Sequence, residues 1–236
     1  MNCSRRIRWL PEAWRTIASV PVGLIVLVSS MLLLVCAPAD GAFHEIAFDA
    51  TDSGRIHGNL YGDGAHGVVL AHGAVFNKES WHTQAERLAE AGLRVLAIDF
   101  RGYGDSKPGA ERRALHLDVL GAIAYLKTAG CEPVSVVGGS MGGGAAARAA
   151  VEAEQGSIDR LILLAHSTIS NPGGMQGKKL FIGTKGDNMS ARRPQFDQAS
   201  EPKKWVVLEG SAHAQYILKT PQADELMQHI LDWLTN

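Results

Sequence analysis

Val136-Val137-Gly138-Gly139-Ser140-Met141-Gly142-Gly143-Gly144 places a serine between glycines where an apolar run gives way to an alanine-rich one. The run before it reads as a buried strand, and the stretch from Met141 to Gln155 reads as a helix. A serine on so tight a strand-to-helix turn is held in strained backbone geometry. The flanking glycines are needed because a Cβ there would collide with the neighbouring strand and helix. The start of the helix also aims free N–H groups at the serine, which favours developing negative charge. This is the pattern G-x-S-x-G, a nucleophile elbow, although taken alone it is equally compatible with a plain tight turn.

Around the elbow, apolar runs of strand length alternate with segments of helical period. Strands are predicted at Glu45 to Phe48, Ile56 to Tyr61, Val68 to Ala71, Val95 to Asp99, Val134 to Val137, Leu161 to Ala165, Lys179 to Gly183 and Lys204 to Leu208. Helices are predicted near Trp81 to Ala91, Leu115 to Ala129, Met141 to Gln155 and Pro221 to Leu234. Continuous apolar strands alternating with helices specify an α/β fold. The expectation is a mostly parallel, doubly wound sheet of about eight strands with helices on both faces. The first two strands have no helix between them and read as an antiparallel hairpin.

In such sheets ligands bind beyond the carboxyl ends of the strands. Four loops there carry chemistry: His72-Gly73-Ala74, the elbow, Gly183-Thr184-Lys185-Gly186-Asp187, and Gly210-Ser211-Ala212-His213. In chain order they supply Ser140, Asp187 and His213. A serine hydroxyl is a poor nucleophile near neutral pH until a base takes its proton, and a histidine ring titrates in the useful range. An aspartate on the other ring nitrogen fixes the tautomer and stabilises the imidazolium. The oxyanion of a tetrahedral intermediate needs two backbone N–H donors. These are expected at Met141, just after the serine, and at Ala74 in the loop after His72-Gly73.

With those motifs in place the chain resembles the α/β-hydrolase superfamily, as a small esterase-like serine hydrolase. The resemblance runs from about Phe43 to the final helix. It rests on the His72-Gly73 turn, the Asp99-Phe100-Arg101-Gly102-Tyr103-Gly104-Asp105-Ser106 segment, the elbow, the Gly183 to Asp187 loop and the terminal His213, in the family's order. It implies Ser140 as nucleophile, Asp187 as the acid after the penultimate strand and His213 as the base. Asp197 lies too far beyond Asp187 to replace it, and His72, which precedes the elbow, is expected to shape the oxyanion loop. The Asp99 to Ser106 segment is expected to be structural, with Arg101 paired to a carboxylate, and His229 falls on a helix surface.

Only about a dozen residues separate the strand ending near Ala165 from the one starting near Lys179, where many relatives insert a helical cap. No cap domain is therefore expected. The site should be open, roofed by residues 167–177, with Phe76 and Trp81 on its oxyanion side and His166 at its border. Small or accessible acyl groups suit such a site. Ester cleavage is the expected reaction. Peptide, thioester or lactone cleavage on the same residues, or a binding module that kept the fold, are the alternatives.

The chain has 236 residues and a formal net charge of −1, which gives no reason to expect a nucleic-acid partner. Its N-terminus differs from the rest. Arg5, Arg6, Arg8 and Arg15 precede an apolar run from Val20 to Ala37, and Glu12 is the only acid before Asp40. Residues 1–39 have the plan of a signal peptide ending at Ala37-Pro38-Ala39, or of an N-terminal membrane anchor. Residues 40–236 would then be a periplasmic, secreted or membrane-anchored catalytic domain outside the cytoplasm. Lipid attachment at Cys36 is disfavoured by Val35, where a small residue is expected. With Cys3 and Cys36 in the leader, the domain keeps Cys131, which has no internal disulfide partner and is expected to be buried. No CxxC or His-rich spacing suggests a metal, and the elbow lacks the Lys-Ser/Thr of a phosphate loop, so no cofactor is expected. The oligomeric state is not legible.

Overall fold

The computed structural model describes residues 43–236. The leader expected at residues 1–39, with Cys3 and Cys36, lies outside them. The described chain forms one eight-stranded sheet in the order β1-β2-β4-β3-β5-β6-β7-β8. Its strands are β1 (Phe43–Asp49), β2 (Arg55–Tyr61), β3 (Gly67–Ala71), β4 (Arg94–Ile98), β5 (Val134–Gly139), β6 (Arg160–Leu164), β7 (Lys178–Thr184) and β8 (Lys203–Leu208). Strands β1 and β2 form the predicted antiparallel hairpin, and β2 also runs antiparallel to β4. From β4 to β8 every pairing is parallel.

The parallel strands are apolar on both faces because both faces are covered. Val69, Leu96, Val136, Leu163 and Phe181 point into one core layer with α2 (Leu115–Thr128) and α3 (Met141–Glu152). Their neighbours Val68, Val95, Val137, Ile162 and Ile182 point into the other layer with α1 (His82–Glu90) and α5 (Ala223–Thr235). This alternation is the period of two of a strand, and each buried Val, Leu or Ile contributes roughly 1.5–3 kcal/mol relative to leaving it exposed. In α5 the buried positions Leu226, Met227, Ile230 and Leu234 make a single helical stripe. Eight of the twelve residues of α3 are alanine or glycine, which lets this helix approach the sheet closely. Cys131 is buried, as expected, in the connection before β5.

One helix was not anticipated: α4 (Met189–Gln198), between β7 and β8. Its sequence, MSARRPQFDQ, contains Pro194 and few apolar residues. Residues 165–177, between β6 and β7, contain only a short 3-10 turn at Pro172–Gly174. Among the described residues, no helix is long and apolar enough to cross a membrane.

Candidate active site

The carboxyl ends of β3, β5, β7 and β8 lie side by side along the parallel half of the sheet or one strand apart, so their loops converge. At the end of β5, Ser140 has φ 51° and ψ −112°, the strained turn expected of an elbow. Three backbone hydrogen bonds hold it there: its N–H donates to Leu164 O at 2.9 Å, and its carbonyl accepts from Ser167 N at 3.0 Å and Gly144 N at 3.1 Å. Glycine at 138 and 142 follows from space. A Cβ on Gly138 would lie 2.5 Å from the Gly142 carbonyl oxygen, and one on Gly142 would lie 2.3 Å from the Ala71 carbonyl oxygen.

His213 arrives on the loop after β8. Its Nδ1–H donates to Asp187 Oδ2 at 2.7 Å, and its Nε2 accepts from the Ser140 hydroxyl at 2.8 Å. The carboxylate dictates that tautomer, because a proton on Nδ1 is what it can accept. Ala212 O takes a hydrogen bond from Thr184 Oγ1 at 2.9 Å, tying the histidine loop to the end of β7. The Asp187 loop is closed by its own N–H to Thr184 O, and by Gly186 N to Gly210 O at 2.9 Å. The imidazole is 40% exposed while Asp187 is 16% exposed, so the ring meets solvent and its orienting carboxylate sits behind it. Such an arrangement can pass a proton from the hydroxyl to the ring and hold the resulting imidazolium against a fixed carboxylate.

The loop after β3 is fixed by buried polar contacts. His72 Nδ1–H donates to Gly73 O at 2.8 Å, and its Nε2 accepts from Phe100 N–H at 3.2 Å. Acceptance at Nε2 requires a neutral ring, and burial pushes its pKa below the ordinary histidine value. Tyr103 donates its hydroxyl to Ala74 O at 2.9 Å. Among the described residues the Ala74 and Met141 amides donate to no acceptor, which leaves both available to an anion.

The Asp99 to Ser106 segment is structural. Arg101, fully buried at its side chain, donates to Asp118 Oδ1 at 2.7 Å and to Asp52 Oδ2 at 2.8 Å. That arginine holds Asp52 well below the usual carboxylate range, whereas burial pushes Asp118 up against three hydrogen bonds from the same residue.

Two of the three expected substrate contacts need correction. Trp81 is fully buried in the core layer that holds Leu88, Val95 and Ile217, because it closes the 3-10 turn Lys78–Trp81 and caps the start of α1. His166 is 3% exposed: its Nδ1–H turns back to Ser167 O at 2.9 Å and its ring packs edge-on against Phe181. Neither ring meets the opening. Phe76 does border the serine: its ring and Ser140 Cβ both lie 3.5 Å from where a Cβ on Gly73 would stand. It packs at a tilt of 59° against exposed Tyr216, 4.9 Å between centroids, with Lys219 Nζ within 5.8 Å of both rings. Three contributors were not read from the sequence: Tyr216, Arg192 and Gln215. Arg192, in the unforeseen α4, donates to the backbone carbonyls of Asp187 and His166 and stands 3.5 Å from Asp187 Oδ2.

The model of the alpha/beta hydrolase family matches residues 68–234, which takes in every one of these loops. The chain belongs to that family. A 2-hydroxy-6-oxononadienedioate/2-hydroxy-6-oxononatrienedioate hydrolase of Cupriavidus pinatubonensis is 31% identical over 189 residues, covering 75% of this chain and 59% of the relative. The dihydrolipoyllysine-residue acetyltransferase component of the acetoin cleaving system of Cupriavidus necator is 36% identical over 124 residues, covering 50% of this chain and 33% of the relative. The α/β-hydrolase member thus spans less than two thirds of either curated relative. Among solved structures, an esterase from Pyrococcus furiosus superposes with a TM-score of 0.70 at 15% identity, over 82% of this chain and 90% of that one. That likeness concerns the fold.

Proposed function

We propose that this α/β-hydrolase cleaves a carboxylic ester through an acyl-enzyme. The observation that carries the reading is the unbroken contact series Asp187 Oδ2, His213 Nδ1, His213 Nε2, Ser140 Oγ, with both gaps below 2.9 Å. In this reading Ser140 Oγ attacks the ester carbonyl while its proton passes to His213 Nε2. The carbonyl oxygen becomes an oxyanion held by the Ala74 and Met141 amides. When the tetrahedral intermediate collapses, the C–O bond to the alcohol breaks and the imidazolium returns its proton to that alcohol. Water then gives a proton to the same nitrogen and attacks the acyl carbonyl; as this second intermediate collapses the bond to Ser140 Oγ breaks, the imidazolium returns its proton to Oγ, and the acid is released. Asp187 keeps its negative charge throughout.

Access supports a small or accessible acyl substrate. Ala74, Val75 and Tyr216 are exposed, and residues 165–177 contain only one short turn, at Pro172–Gly174, towards the amino ends of the strands. Delivery of this domain across a membrane belongs to the same proposal, supported by the basic and apolar plan of residues 1–39; mass spectrometry of the mature N-terminus tests it. The catalytic assignment is tested by Ser140→Ala with p-nitrophenyl acetate and a labelled fluorophosphonate. Loss of both turnover and labelling is expected, and unchanged turnover would overturn it.

A further inference from the structure

Gln215 is buried, 2% exposed, two residues beyond His213. Its two amide atoms have different partners: Oε1 accepts the Gly73 N–H at 2.6 Å, and Nε2 donates to Ser80 Oγ at 2.7 Å. Gly73 immediately precedes the Ala74 amide. The same side chain also lies against the floor of the elbow, since a Cβ on Gly139 would meet Gln215 Oε1 at 3.3 Å and Cγ at 3.5 Å. The turn that brings Gln215 inward passes through Ala214 at φ 47°, a left-handed conformation that is strained in a non-glycine residue. One buried amide therefore joins the loop carrying an oxyanion donor to the segment carrying the base, directly behind the serine.

We infer that Gln215 is a positioning residue that sets the Ala74 amide relative to Ser140 and His213. By accepting the Gly73 N–H it anchors the His72–Gly73 peptide unit, which adjoins the Gly73–Ala74 unit that carries the donor amide and whose carbonyl takes the His72 Nδ1–H. A leucine or methionine of similar size would fill the space but leave the buried Gly73 N–H without an acceptor, so the loop would turn to find one. Catalytic donors must be in place before charge develops, and small displacements weaken them sharply.

The inference rests on the ester-hydrolase reading, and its test separates the two. Kinetics with a p-nitrophenyl ester and its thiono analogue, whose sulfur is a poor hydrogen-bond acceptor, are measured for full-length wild type and Gln215→Met. The expected result is a 10- to 100-fold lower kcat with KM within about twofold. The preference for the oxygen ester over the thiono ester should shrink as well. A lower kcat with an unchanged oxygen-to-sulfur preference, or an unchanged kcat, overturns the inference. Gln215→Glu retains an acceptor for Gly73 and should recover protection of that amide from hydrogen exchange, which Gln215→Met should lose. Equal exchange at Gly73 in wild type and Gln215→Met also overturns it. If Gln215→Met does not fold, Ser80→Ala, which frees only the far end of the amide, should lower kcat and the oxygen preference together; no change in either overturns the inference. Wild type that neither turns over ester nor takes a fluorophosphonate label refutes the hydrolase reading instead, while the exchange measurement still judges the brace.

Discussion

Arg192 engages Asp187 through both its backbone carbonyl and its carboxylate, the latter at 3.5 Å, and its Nε reaches the His166 carbonyl at 3.0 Å. One guanidinium thus ties the ends of β6 and β7 together behind the acid that orients His213. A planar fork of donors suits this three-way contact better than a lysine ammonium.

Arg192→Ala should lower kcat/KM about 10-fold, equivalent to about 1.4 kcal/mol of transition-state stabilisation. Asp187→Asn should cost far more, on the order of 10⁴ in kcat, because it presents the wrong hydrogen-bonding partner to His213 Nδ1. Steady-state kinetics on one activated ester check both values.

Gly142→Ala should destabilise the fold rather than tune the reaction. Its Cβ would lie 2.3 Å from the Ala71 carbonyl oxygen and 2.6 Å from that of His72, both backbone atoms in the strand-to-loop junction of β3. Overpacking typically costs about 1–3 kcal/mol, and a clash with fixed backbone belongs at the upper end. Urea denaturation should show the midpoint falling.

Arg101→Met should cost about 3–5 kcal/mol, since it leaves the fully buried Asp118 without its cation. Equilibrium unfolding reads this directly. Arg101→Met with Asp118→Leu should recover much of the loss, because replacing both partners removes the stranded carboxyl.

Stability should fall on the acid side of neutrality. Burial pushes His166 down to about 4 and also lowers His72. The unfolded chain takes up these protons near pH 6.5 and the folded chain does not. The stabilisation is therefore complete above pH 6.5 and declines as the pH falls through that value towards 4. His166 alone can account for a loss of about 3 kcal/mol over this window. Urea midpoints at pH 7.5, 5.5 and 4.5 should trace the decline. His166→Asn, whose amide can replace the Nδ1 donor, should make it shallower.

The strands were legible because buried parallel strands are apolar throughout: Val68 to Ala71, Val134 to Val137 and Leu161 to Leu164 each announce themselves without context. Ser140, Asp187 and His213 were legible for a related reason, since each follows such a run and the loops beyond strand ends are brought to one edge. α4 was not, because Arg192, Arg193 and Pro194 break any apolar stripe; only Met189 in this helix is buried. Trp81 and His166 were misplaced because an aromatic beside a site motif has the same sequence signature whether it faces the opening or the core. Gln215 gave a positional cue, lying two residues from His213, but nothing in a polar residue announces that it will be buried with both amide ends satisfied.

The connection between β6 and β7 gives the molecule separable frame and rim. It begins beside Ser140, whose carbonyl takes the Ser167 N–H, and then crosses exposed Ser170, Asn171, Gly173 and Gly174 before β7 starts. No strand pairing passes through those four residues. New chain spliced just after Ser167, at exposed Thr168, would emerge beside the serine while leaving the sheet register untouched, making the start of this connection the graft point at which substrate choice can be rewritten without refolding the scaffold.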